Sequence, residues 1–151
     1  MGHVLHRHPF LALLTLLYGA FVGVVTLTPG AGTPDYYGFA TRVLARLQGY
    51  PELDPITSRL SVERIEFLAN IGLFVPLGMF LLLLVGTRLW LVALAAGIVL
   101  TSMIEAVQRE IPGRVSDPRD VVANSIGMFL GIVLAIVLTL PATLRRRRER
   151  G

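Results

Sequence analysis

Residues 121–140, "VVANSIGMFLGIVLAIVLTL", are twenty consecutive positions without a charged side chain. That run limits the possible folds more than any other feature of the chain. At about 1.5 Å per residue a helix of this length covers the ~30 Å hydrocarbon core of a bilayer. A backbone in lipid must satisfy its own polar groups, so such a segment spans as a helix. Three further runs have the same character: 10–28, "FLALLTLLYGAFVGVVTLT"; 67–85, interrupted only by Asn70 and Pro76; and 89–104. The third is short, and reaches full length only if its helix continues through Glu105 and Gln108. The first is longer than the ~7–15 apolar residues of a signal-peptide core and reads as a retained helix, although Arg7 precedes it. The expected fold is therefore all-α: a polytopic four-transmembrane-helix bundle. Its spans fall at about 10–28, 65–85, 88–108 and 119–140 within a domain over 10–142, flanked by a tail at 1–9 and a basic tail at 143–151.

Composition agrees with a membrane protein, since 54% hydrophobic and 16% charged residues are too apolar a mixture for an ordinary soluble domain. Cysteine is absent, which excludes disulfides and thiolate-held metals. All the basic excess is arginine, much of it in the closing "LRRRRERG". A basic tail beside a span is a topology signal, and nucleic acid is not an expected partner. Arginine counts tie at seven on each side of the membrane, but five arginines lie within ten residues of the last span, and nine of ten acidic residues share the loops 29–66 and 105–120. Both termini are expected in the cytoplasm and both long loops outside, in a multi-pass protein of the cell membrane. His3, His6 and His8, with Arg7 among them, read as a solvated flank.

That topology puts the polar residues of the spans at one level. Asn70 lies about 9 Å below Arg64 on the second helix, Asn124 about as far below Pro118 on the fourth, and Glu105 about 25 Å above Arg88 on the third. Polar groups at this depth are costly unless they face one another or a wet pocket. Glu105 and Gln108 (i,i+3), and Asp120 and Asn124 (i,i+4), each share a helical face. Small residues recur beside those faces: Ala123, Gly127, Gly131 and Ala135 on the fourth helix, Ala93, Gly97 and Thr101 on the third, and Thr15, Gly19 and Gly23 on the first. Such ridges let helices approach closely, and Pro76 is expected to kink the second helix where a neighbour can satisfy the freed carbonyl. In the first long loop, Phe39, Val43, Leu44 and Leu47 line one side of "GFATRVLARLQ", the pattern of a short interfacial helix.

The segments "NIGLFVPLG" (Asn70, Pro76, Gly78), "SMIEAVQ" (Glu105, Gln108) and "PGRVSDPRDVVANSIGMFLG" (Arg114, Asp117, Asp120, Asn124, Gly127) together resemble the VanZ-like family. Its pattern is N-x5-P-x-G, then E-x2-Q, then R-x2-D-x2-D-x3-N-x2-G. The resemblance covers about residues 62–138, and implies a small integral membrane protein whose namesake is associated with low-level resistance to the lipoglycopeptide teicoplanin. The charged "REI" at 109–111 departs from the apolar or aromatic residues usual there.

Capping alone can account for Asp117, followed by Pro118 with Asp120 three positions on. It does not account for Asn70, Glu105 and Asn124 at the same depth. For Arg114, a clamp on Glu105 or Asp120 and a contact to ligand are equally open. A cluster of Asn70, Glu105, Gln108, Arg114, Asp117, Asp120 and Asn124 between helices two, three and four could bind an anionic or glycosidic headgroup, or hold a divalent cation through oxygen ligands. The favoured function is binding, or altering access to, an amphipathic envelope ligand: a lipid-linked cell-wall intermediate, a glycolipid or a lipoglycopeptide. The alternatives are a metal-assisted enzyme acting on a lipid phosphate through Asp117, Asp120 and Glu105, or a membrane scaffold with no ligand. No phosphate-cradling glycine loop, zincin motif or nucleophile elbow is present, and no cofactor is required.

Overall fold

A computed structural model describes residues 9–28, 41–42, 44–57, 60–111 and 117–148. Arg114, Phe39, Val43 and the three histidines of the N-terminal flank lie outside the described residues. Four helices are long and apolar enough to cross a membrane: α1 (Pro9–Leu27), α2 (Val62–Val85), α3 (Trp90–Gln108) and α4 (Pro118–Arg148). No strand occurs among the described residues. The expected four-helix membrane bundle is the fold.

Each boundary has a local cause. Ser61 caps α2 by accepting a hydrogen bond from the backbone N–H of Arg64 at 3.4 Å, and its own hydroxyl donates to Glu63 at 2.6 Å. Gly86 ends α2 at φ +92°, a conformation that a side chain disfavours, while its N–H donates to the Leu82 carbonyl at 2.7 Å. A single 3₁₀ turn, Thr87–Leu89, then leads into α3, so α2 and α3 are joined by a short connection. At the other end α3 does continue through Glu105 to Gln108.

The α4 helix does not stop where its apolar run ends. It passes through Pro141 to Arg148, so Arg145 to Arg148 ride on its last turns. The Thr139 hydroxyl, just before the proline, donates to the carbonyl of Ala135 at 2.7 Å.

Packing is densest between α2 and α4, and glycine is the reason. A Cβ added at Gly131 would run into the Val75 carbonyl oxygen and lie 2.8 Å from the Met79 backbone nitrogen. At Gly127 it would meet the Ile71 carbonyl, and at Gly78 the backbone of Met128. The two backbones therefore touch directly, as small-residue ridges allow in lipid. At Gly97 on α3 the added atom would meet only the flexible Met128 side chain. The expected ridge on α1 is different: an added Cβ at Gly19 or Gly23 finds nothing within 4 Å. Instead α1 docks through Ala12, Thr15, Val22 and Thr26, which are buried.

One core cluster joins Val22, Phe74, Leu77, Ile104 and Met128, drawing on all four helices, and a second joins Leu82, Ala93, Ile132 and Ala135. Leu13, Leu16 and Phe21 on α1, Val92 and Val99 on α3, and Val133 and Leu138 on α4 are exposed. Large apolar side chains directed outward all round the bundle suit a lipid surface. Pro76 lies inside an unbroken α2, and the Tyr18 phenol of α1 donates to the Leu73 carbonyl at 2.9 Å, one residue from the carbonyl that Pro76 deprives of its donor. In the long loop, residues 44–48 are helical, with Leu44 and Leu47 half-buried and Arg42 and Arg46 exposed.

Candidate functional site

The polar residues gather at the end of the bundle where α2 and α4 begin and α3 finishes. Asp117 precedes α4, and its Oδ1 accepts the Arg119 N–H at 2.9 Å, so this carboxylate is an N-cap. Asp120, in the first turn, faces α2. There the Asn70 amide Nδ2 donates to Asp120 Oδ1 at 2.8 Å, a link between residues fifty positions apart. One turn deeper, Asn124 is buried and its Nδ2 donates to Thr101 Oγ1 on α3 at 2.8 Å. Two rungs of a polar ladder thus tie α4 to both of its neighbours.

Glu105 stands one turn beyond Thr101 on the same face of α3. Its side chain is 4% exposed, and neither carboxylate oxygen has a hydrogen-bond partner among the described residues. Among the described residues its ion pair is with Arg109, whose Nε lies 3.8 Å from Oε1 on a side chain that is 60% exposed. Asn124 Oδ1 is also buried without a partner. Buried acceptors left without donors cost about 1–3 kcal/mol each, and more for a charged group. The described residues at this end of the bundle are therefore rich in acceptors and short of donors.

Gln108 takes another direction. Its Nε2 donates to the backbone carbonyl of Thr26 at 2.8 Å, near the end of α1, where helical carbonyls lack partners. It fastens α3 to α1 and makes no described contact with Asn70, Asp120 or Asn124.

Two residues beyond the sequence-derived set join the neighbourhood. Thr101 receives Asn124, and was legible only as a small residue one turn before Glu105. Glu66, one turn above Asn70 on α2, lies within the electrostatic reach of Asp120, Glu63 and Asp117. Its i,i+4 spacing from Asn70 was the available signal. Among the described residues no three His, Cys, Asp or Glu side chains come together as a metal site, so Asp117, Asp120 and Glu105 do not form one.

Beside the polar ladder an open apolar groove of about 400 Å³ runs between α3 and α4. Val121, Ser125 and Phe129 line it from α4, and Leu94 and Ile98 from α3. Val121 and Ser125 are the sequence neighbours of Asp120 and Asn124, which do not line the groove themselves.

Four membrane-length helices with carboxyl, amide and hydroxyl groups turned inward near one end define a small polytopic membrane protein with an intramembrane polar cluster. The chain belongs to the VanZ/LLP1 family, whose model matches residues 5–139 and so takes in all four spans. Neither a curated protein nor a solved structure matches the chain.

Proposed function

We propose that this VanZ-family membrane protein binds an amphipathic ligand of the cell envelope, a lipid-linked cell-wall intermediate, a glycolipid or a lipoglycopeptide, and so alters its accessibility. The polar cluster takes the headgroup and the α3–α4 groove takes the hydrocarbon chain. Two observations support this reading: the oxygens of Glu105 and Asn124 are buried without hydrogen-bond partners among the described residues, and an apolar groove opens between α3 and α4 beside Ser125, the sequence neighbour of Asn124. A sugar or peptide headgroup supplies the hydroxyl and amide donors those oxygens lack. The ligand would be met from outside the cell membrane, because the arginines after α4 hold the C-terminus in the cytoplasm.

Binding of glycolipid and lipid-pyrophosphate headgroup analogues to the purified protein, with magnesium and with a chelator, tests the proposal. Binding that survives chelation supports it. Turnover of the lipid phosphate only with magnesium would instead make the protein a metal-assisted enzyme, and absence of binding in both conditions would leave a scaffold.

A further inference from the structure

The end of the bundle away from the polar cluster carries a charge pattern of its own. Leu82 of α2, Ala93 of α3, and Ile132 and Ala135 of α4 share one core cluster, so the α2–α3 turn and the last turns of α4 reach the same membrane face. The turn carries exposed Arg88 and, two residues on, exposed Trp90, the one tryptophan of the chain. Indole rings concentrate at the boundary between hydrocarbon and headgroups. The apolar part of α4 closes at Pro141, yet the helix runs on without a break to Arg148. At about 1.5 Å per residue, Arg145 lies about 6 Å beyond Pro141 and Arg148 about 10 Å, against a headgroup layer about 5–8 Å thick on each side of the hydrocarbon core. Positions 145–148 step about 100° at a time round the axis, so no single neighbouring helix covers all four. The sequence has no acidic residue between 67 and 104 or between 121 and 148, and only Glu149 follows the run.

We propose that the end of α4, together with Arg88, binds anionic phospholipid headgroups at the membrane face where α4 emerges. Charge complementarity names the occupant. Four successive arginines on a helix with no acid back to Asp120 call for an anion, and the anion present at this depth is the lipid phosphate. A guanidinium meets a phosphate through two parallel N–H···O bonds, which the ammonium of lysine does not, and the chain has arginine throughout and no lysine. Because the segment continues a spanning helix, it is already held at the surface and ordered, which removes much of the entropic cost of capture. A charge bias that only sets orientation acts during insertion, and leaves the folded protein indifferent to headgroup type. Binding does not. The site lies at the opposite end of the bundle from Asn70, Asp120 and Asn124, and does not rest on the amphipathic-ligand reading.

The test is competition between spin-labelled phosphatidylglycerol and phosphatidylcholine for the lipid layer around the full chain, reconstituted in phosphatidylcholine vesicles. The wild type should hold phosphatidylglycerol at least about threefold more strongly at low salt, and the two lipids about equally in about 1 M sodium chloride. Arg145→Gln, Arg146→Gln, Arg147→Gln and Arg148→Gln made together should remove the preference. Arg42→Gln with Arg46→Gln, in the loop at the opposite end, should keep it. Should the fourfold variant fail to insert, the pair Arg147→Gln and Arg148→Gln leaves two arginines beside the span and should show an intermediate preference. Equal retention of the two lipids by the wild type, or an undiminished preference in the fourfold or the paired α4 variant, would overturn the proposal. So would loss of the preference to inorganic phosphate at constant ionic strength, which would make the occupant a soluble anion.

Discussion

The Asn70 amide on α2 donates to the Asp120 carboxylate at the start of α4, 2.8 Å away, so the second and fourth helices are joined by a polar link one turn above the Asn124–Thr101 bond between the fourth and third. Asn70→Ala removes the amide donor to the half-buried Asp120 carboxylate. Its expected cost is about 1–3 kcal/mol, read as a lower melting temperature in detergent. Asp120→Asn should cost less, because its amide oxygen still accepts from Asn70.

The glycines of α4 rank themselves by what an added methyl group would strike. Gly131→Ala and Gly127→Ala push against the backbone of α2, and should lower stability by about 1–3 kcal/mol, with Gly131→Leu worse. Gly97→Ala meets only the yielding Met128 side chain and should cost less. Gly19→Ala and Gly23→Ala on α1 should be neutral or slightly stabilising, since helical glycine itself costs about 1 kcal/mol relative to alanine. A melting series over these six variants checks the order.

Tyr18→Phe removes the donor to the Leu73 carbonyl while keeping the ring that packs edge-on against Phe80. A loss of about 1 kcal/mol is expected, and because the N–H restored by Pro76→Ala would face the Gly72 carbonyl and not that of Leu73, the two changes should couple only weakly. The double variant, compared with each single one, measures that coupling.

Orientation rests on the arginines that α4 carries beyond the apolar span. A reporter fused after Gly151 should be active only in the cytoplasm. Activity outside would place the polar end of the bundle on the inner face.

The lengths of the apolar runs made the four helices legible, because a bilayer sets a minimum span and a helix sets the rise per residue. Counting turns from the helix ends also put Asn70, Asn124 and Glu105 near one depth. Which residues would touch was less legible. The ridges Gly127–Gly131 and Gly19–Gly23 have the same spacing, yet only the first meets another backbone, because spacing does not name the partner helix. Gln108 looked like a member of the cluster, but its partner is the Thr26 carbonyl, a backbone acceptor at a helix end that leaves no trace in the pattern of side chains. Thr101 was hidden for a related reason, since a threonine serves as readily for small-residue packing as for hydrogen bonding.

The central claim is that the polar cluster, besides joining the helices, receives a ligand. Binding of a glycolipid headgroup analogue, measured beside membrane abundance for Glu105→Gln, Arg114→Lys, Asp120→Asn and Asn124→Ala, tests it most directly. Binding should fall at least about tenfold in each variant, a loss of about 1.4 kcal/mol, while abundance stays near that of the wild type. Arg114→Lys belongs in the set because it keeps the charge and loses the planar fork. Unchanged binding in the Asp120 and Asn124 variants, or a fall in binding matched by an equal fall in abundance, would contradict the claim.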